Sequence, residues 1–420
     1  MNRPVSHRHV LFASLIGTTI EFFDFYIYGT AAVLVFPALF FPGSDPTTAT
    51  LQSLATFALA FFARPLGSAL FGHFGDRVGR KATLVAALLT MGLSTVAIGL
   101  LPTYAAIGVA APALLALCRF GQGIGLGGEW GGAVLLATEN APAGREAWYG
   151  MFPQLGAPIG FILANGLFVL LGVLLSDAQF FAWGWRIPFL GSLLLVWVGL
   201  YVRLRLTETP AFQQALQREE RVYVPLLTVL RSHGGVLVLA TLAAVTTFVV
   251  FYLMTVFTLS YGTTVLGFVR QDFLILQIIA VLAFAVFIPV SALLADRIGR
   301  LRMLSFATLA IMLFGLAFGP LFSNAGALQV LLLLTLGLGC MGLTYGPLGT
   351  ALAAAFPTAV RYTGASLAFN LAGILGGSLA PYIATWLAAN HGIAAVGWYL
   401  SAAGLLTLLA LLALARRGLR

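Results

Sequence analysis

Charge is what this sequence has least of. Of 420 residues only 8% are Asp, Glu, Lys or Arg, and the acids number 13. A soluble globular domain carries about 25% charged residues, so a water-facing surface of this size cannot be covered. The shortage excludes a soluble enzyme, a nucleic-acid binder and a disordered chain. Lysine is nearly missing: Lys81 stands alone among 22 basic residues, the rest being Arg. There are two cysteines, Cys118 and Cys340, each in an apolar run without a CxxC spacing or a nearby His. That excludes a redox motif and a zinc site, and both thiols read as small buried hydrophobes. The five His show no ligand spacing, and the absence of GxxxxGK[ST] leaves direct ATP-driven pumping without support.

What is present is hydrophobicity. Apolar residues make up 60% of the chain and the mean hydropathy is +1.00. A membrane span needs about 20 apolar residues, and turn signals and charges cut the chain into twelve candidate segments. They run approximately 10–36, 51–75, 82–101, 105–138, 147–175, 185–206, 233–261, 272–295, 303–322, 327–356, 362–389 and 393–415. The first holds Glu21 and Asp24 and runs to Phe36, too long and too charged for a cleaved secretory signal, so it is retained as a span. The long polar stretch from Arg203 to Arg231 separates six spans from six. The expected fold is therefore an all-α membrane protein of twelve helices in two six-helix bundles, residues 1–206 and 233–420, joined by a linker at 207–232.

The basic residues set an orientation. With the N-terminus inside, the termini and even-numbered loops hold 18 of the 22, while the opposite side holds only Arg186 and Arg270. Arg64 and Arg119 fall inside spans. By the positive-inside rule both termini are expected in the cytoplasm. The net charge of +9 is then a topology signal with some attraction to anionic lipid.

An internal repeat marks the two halves. GHFGDRVGRKATL, from Gly72 to Leu84, returns as ALLADRIGRLRML, from Ala292 to Leu304, so that Asp76, Arg77, Gly79 and Arg80 match Asp296, Arg297, Gly299 and Arg300. A weaker echo sets Arg145 after the fourth span and Arg361 after the tenth. Two parallel six-helix repeats are the pattern of a rocking secondary transporter whose site lies between the halves. A carboxylate at the end of spans two and eight can pair with Arg or cap a neighbouring helix N-terminus, and such contacts can form in one state and break in the other.

At these residues the sequence resembles the major facilitator superfamily, whose loop signature is Gly72-x-x-x-Asp76-Arg77-x-Gly79-Arg80-Lys81 here. The stretches IEFFDFYIYG (Ile20 to Gly29), ARPLGS (Ala63 to Ser68), RFGQGIGLGGEWGGA (Arg119 to Ala133) and FPTAVRYTGASLAFNLAGILGG (Phe356 to Gly377) narrow it further. Together they look like the metabolite:proton symporter family, whose members import citrate, α-ketoglutarate, shikimate, proline or betaines. The resemblance implies gating roles for Asp76, Arg77, Gly79 and Arg80 and for Asp296, Arg297 and Arg300, with Glu139, Arg145 and Arg361 in the same network. It implies no cofactor other than a coupling proton, and a bacterial inner-membrane location. The expected partners are a small substrate and the lipid bilayer, with no nucleic acid, and the protein is expected to be a monomer.

Ionisable groups inside spans are costly and usually functional. Glu21, Asp24, Arg64 and Arg119 all fall near mid-membrane by helix rise, and Glu21 and Asp24 lie three apart on one helix face. Mutual neutralisation is one reading. The other is a proton-coupled site, because burial and a neighbouring Arg act in opposite directions on a carboxylate's affinity for its proton. In that reading Arg64 and Arg119 are anion contacts, Asp24 and Glu21 are proton carriers with Asp24 preferred, and Glu129 is a further candidate. Gln122, Tyr252, Tyr345 and Asn370 are the neutral substrate contacts. Gly123 to Gly128 satisfies GxGxxG inside an apolar helix without a preceding strand, so it is read as helix packing, not dinucleotide binding. The leading expectation is proton-coupled import of a small organic anion. The alternatives are uptake of a proline- or betaine-like zwitterion and efflux of drugs or metabolites.

Overall fold

The computed structural model describes residues 7–78, 80–205, 225–323, 325–357 and 360–418, with side chains described except at 7–10, 72–84, 136, 202–205 and 225. Twelve long helices run through the described residues, and no strand occurs among them. In lipid every backbone N–H and C=O must be satisfied within the protein, and continuous apolar sequence with internal hydrogen bonding does so. The helices are α1 His7–Leu34, α2 Pro46–Val78, α3 Arg80–Leu100, α4 in two pieces (Ala110–Gly127 and Trp130–Glu139), α5 Glu146–Leu174 and α6 Ile187–Arg205. They continue with α7 Gly234–Tyr252 extended to Thr264, α8 Arg270–Ile298, α9 Arg300–Phe322, α10 Ala327–Ala354, α11 Arg361–Ala372 extended to His391, and α12 Ile393–Arg416. Among the described residues ten helices are long and apolar enough to cross a membrane, and α3 adds the apolar stretch Val85–Leu100.

The fourth span differs from its expected course over 105–138. It breaks at Gly128 and Glu129, and a separate short helix occupies Tyr104–Ile107. Paired glycines lower helix propensity there. Two other helices are re-wound: a π-turn at Leu253–Phe257 interrupts α7, and one at Gly373–Ser378 interrupts α11. The altered ladder of α7 is met by Gln277 of α8, whose Nε2 donates to the carbonyls of Met254 at 3.0 Å and Thr255 at 2.8 Å.

Burial sorts the helices. The apolar windows of α1, α7 and α11 are the most enclosed of the ten, and that of α12 the least. Leu117, Trp197, Leu313 and Leu409 are more than half exposed, which suits a surface whose solvent is lipid. Within the first six helices α1 packs on α5, α2 on α4, and α3 on α4 and α6; within the last six, α8 packs on α10, α9 on α10 and α12, and α7 on α11 and α12. Across the two groups α5 packs against α8 and α10, and α2 and the second piece of α4 against α11. The GxGxxG stretch lies where α4 meets α2: a Cβ on Gly123 would stand 2.3 Å from the Ala60 carbonyl oxygen, and one on Gly127 2.0 Å from that of Arg64.

Candidate functional site

The helices of greatest burial surround a small central cavity of about 20 Å³. Glu21, Phe22 and Tyr26 of α1, Arg64 of α2, Phe248, Phe251 and Tyr252 of α7, Met341 and Tyr345 of α10 and Phe369 of α11 line it. Seven of the lining residues are aromatic, three of them tyrosines; the others are one acid, one base, Met341 and Ala157. By volume it holds about one or two waters. Arg64 is held by ring faces, its Cζ 4.6 Å from the centroid of Phe25 and 4.9 Å from that of Phe61.

Asp24 and Arg119 stand behind this cavity, within the first six helices. Arg119 is fully buried. Its Cζ lies 4.0 Å from the Tyr28 ring, 4.4 Å from Phe25 and 4.9 Å from Phe57, a cation–π enclosure that offsets part of its desolvation. Phe25 thus touches both guanidinium groups. A hydrogen-bonded chain leads from Arg119 to the acid. Nη1 donates to Gln122 Oε1 at 2.9 Å, and Gln122 Nε2 donates to Thr95 Oγ1 at 2.8 Å. Thr95 in turn reaches Asp24 Oδ2 at 3.3 Å. The chain ties α4 to α3 and α1 without direct contact between Arg119 and Asp24.

On the basic side two seams join the halves. At the first, Asp296 ends α8 against the start of α5. Its carboxylate oxygens accept from the backbone N–H groups of Ala147 at 2.9 Å and Trp148 at 3.0 Å, satisfying donors that a helix N-terminus leaves open. Arg300 Nη2 pairs with Glu146 Oε2 at 3.2 Å beside it. Gly299 turns the chain between α8 and α9 at φ +100°, a left-handed conformation that glycine adopts without steric cost. The second seam is neutral. The break in α4 frees the carbonyls of Gly127 and Gly128: Tyr362 of α11 donates to Gly128 at 2.8 Å. Asn370 donates to Ser68 Oγ at 2.8 Å, and Ser68 donates to the Gly127 carbonyl. Trp130 and Phe369 stack across the seam with centroids 3.6 Å apart and planes 8° apart. Gln154 of α5 links the neutral seam to the cavity wall, accepting from Trp130 Nε1 at 3.1 Å and donating to the Tyr345 carbonyl at 3.0 Å.

Of the residues singled out from the sequence, Glu21, Arg64, Tyr252 and Tyr345 meet at the cavity. Asp24, Arg119 and Gln122 form the buried chain, and Asn370 belongs to the neutral seam. Glu129 is buried at the break in α4. Asp296 and Arg300 contact α5, whereas Arg361 Nε donates to its own loop at Phe356, 3.3 Å away. Glu139, Arg145 and Arg297 enter no ion pair among the described residues. The side chains of Asp76, Arg77 and Arg80, and all of Gly79, lie outside the described residues. Sequence reasoning missed Glu146, Gln154, Ser68, Trp130 and Tyr362. A Glu at the first position of α5 was the available signal for Glu146; neutral partners of backbone carbonyls carry none.

A multi-pass helical bundle with a small, largely aromatic cavity holding one acid and one base between its two sets of six helices is the architecture of a secondary transporter. The Major Facilitator Superfamily profile matches residues 14–381, and the chain belongs to that superfamily, a family of transporters and not of enzymes; solved members share its fold. The chain is 59% identical over 415 residues to the inner membrane metabolite transport protein YhjE of Escherichia coli (strain K12), covering 97% of this chain and 94% of that one. It is 35% identical over 395 residues to the shikimate transporter of the same strain, covering 92% and 90%. To the proline/betaine transporter of that strain it is 34% identical over 390 residues, covering 90% and 77%.

Proposed function

We propose that this protein imports a small organic carboxylate together with a proton, by alternating access to the cavity shared by Glu21 and Arg64. The observation that carries this reading is the placement of one acid and one guanidinium in the same small cavity between the halves. Arg64 offers a permanent, forked cation to a carboxylate. Glu21, on the opposite helix wall, exchanges its proton when substrate neutralises Arg64. The chain from Asp24 to Arg119 couples that event to the packing of α1, α3 and α4. The basic side is the cytoplasmic side, both termini lie there, and residues 1–206 and 233–420 rock as two bundles about the linker at 207–232. The location is the bacterial inner membrane, as in the name of the 59% identical relative.

A second reading has its own support. Seven aromatic rings line the cavity, and aromatic faces recognise quaternary ammonium groups. A betaine would set its cation among the rings and its carboxylate on Arg64. One thermal-shift panel separates the two, because a ligand of the native state stabilises it by about 2.7 kcal/mol at a hundred times its Kd. The expected result is stabilisation by carboxylates, lost in Arg64→Ala. Stabilisation by betaines alone moves the assignment to the second reading, and stabilisation by cationic drugs alone contradicts both.

A further inference from the structure

A second cavity, of about 10 Å³, lies between α1, α2, α5 and α7 on the side away from the basic loops. Gly29, Thr30, Phe57, Phe161, Thr255 and Val256 line it, and Tyr26 and Tyr252 line both this cavity and the central one. The two tyrosines are therefore a partition, one from each half. No charged side chain lines the outer cavity; its polar side chains are Thr30, Thr255 and the two tyrosines. Thr30 Oγ1 donates to Asn165 Oδ1 at 2.5 Å, and the Asn165 side chain is 1% exposed with Nδ2 lacking any hydrogen-bond partner. Asn165 stands behind Thr30 and fixes its hydroxyl proton, so the Thr30 oxygen is left as an acceptor at the cavity wall. Thr255 is presented by the π-turn of α7, whose carbonyls Gln277 holds.

We infer that the outer cavity is a second subsite, which takes the hydroxyl-bearing end of a substrate whose carboxylate rests on Arg64. This rests on the carboxylate reading above. Spacing supports it: Thr30 is nine residues beyond Glu21 on α1, and Phe57 is seven before Arg64 on α2, or about 10–14 Å along the helices. A six-membered ring acid spans about 6 Å from carboxylate to far hydroxyl, and a hydrogen bond of about 3 Å at each end completes that distance. Such a ligand needs Tyr26 and Tyr252 to part, so their separation accompanies binding. The site selects for hydroxyls because Thr30 and Thr255 each already donate their proton, to Asn165 and to the Phe251 carbonyl, and an apolar end would leave both acceptor oxygens facing carbon.

Two acids with one skeleton test this: shikimate, and cyclohex-1-ene-1-carboxylate, which lacks the hydroxyls. Their Kd values are measured on the purified full chain and on three variants. Gly29→Ala is chosen because its Cβ would stand in ordinary contact, 3.4 Å from Phe57 and 3.9 Å from Val256, filling the cavity without a clash. Thr30→Val removes the hydroxyl at nearly constant shape. Arg64→Ala tests the underlying reading. The unmodified protein is expected to prefer shikimate at least tenfold. Gly29→Ala and Thr30→Val should each erase most of that preference while leaving the Kd for the plain acid within twofold, and Arg64→Ala should weaken both acids. A preference unchanged in Gly29→Ala and Thr30→Val, with both acids lost in Arg64→Ala, overturns the subsite and leaves the carboxylate reading standing: the cavity then holds solvent only. Retention of both acids by Arg64→Ala, or binding of neither acid to the unmodified protein, overturns the carboxylate reading and the subsite with it.

Discussion

The two seams on the basic side do the same work with opposite chemistry. Between α5 and α8 the halves are joined by charge: a carboxylate caps a helix N-terminus and an ion pair flanks it. Between α2, α4 and α11 the joint is neutral: two freed carbonyls, three side-chain donors and a stacked Trp–Phe pair. A charge-assisted bond is worth about 1.5–3 kcal/mol and a neutral one about 1 kcal/mol. The seams therefore differ in strength and in what weakens them, and the charged one is the firmer latch.

Labelling from the basic side makes that ordering measurable. With Cys118 and Cys340 replaced by Ser, a Met341→Cys substitution puts a single thiol on the cavity wall. Asp296→Ala should accelerate its modification most, by about 10- to 100-fold, since it removes acceptors for two N–H groups at once. Tyr362→Phe deletes one neutral bond to Gly128, and an acceleration of about fivefold is expected. The smallest effect belongs to Glu146→Gln, at most about threefold and vanishing in high salt, because the Glu146–Arg300 pair is solvent-accessible and screened. Were Tyr362→Phe to exceed Asp296→Ala, the neutral seam would be the latch and the comparison would reverse.

The difference between the seams also explains what the sequence could disclose. Asp296 was legible because it sits in a repeated DRxGR at the end of a span, where a carboxylate has few uses other than pairing or capping. The twelve spans were legible because long apolar runs in lipid satisfy their backbone within a helix. The neutral seam was not, since its acceptors are the main-chain carbonyls of Gly127 and Gly128, freed by a break that periodicity does not announce. The π-turns of α7 and α11 were hidden for the same reason. Glu21 and Asp24 show the limit of helical spacing. Three residues apart, they differ by about 60° around α1, enough to set Glu21 on the cavity and Asp24 on α3.

That difference in position is the centre of the proposal: Glu21 lines the cavity, while Asp24 bonds to Thr95 behind it. It is tested most directly in proteoliposomes, with Glu21→Gln and the carboxylate that stabilises the protein best. Accumulation driven by an imposed pH gradient is compared with exchange of labelled for unlabelled substrate at equal pH. Glu21→Gln is predicted to retain exchange to within about threefold while accumulation falls at least tenfold, a loss of coupling with binding intact. Accumulation at the unmodified level in Glu21→Gln would contradict the account.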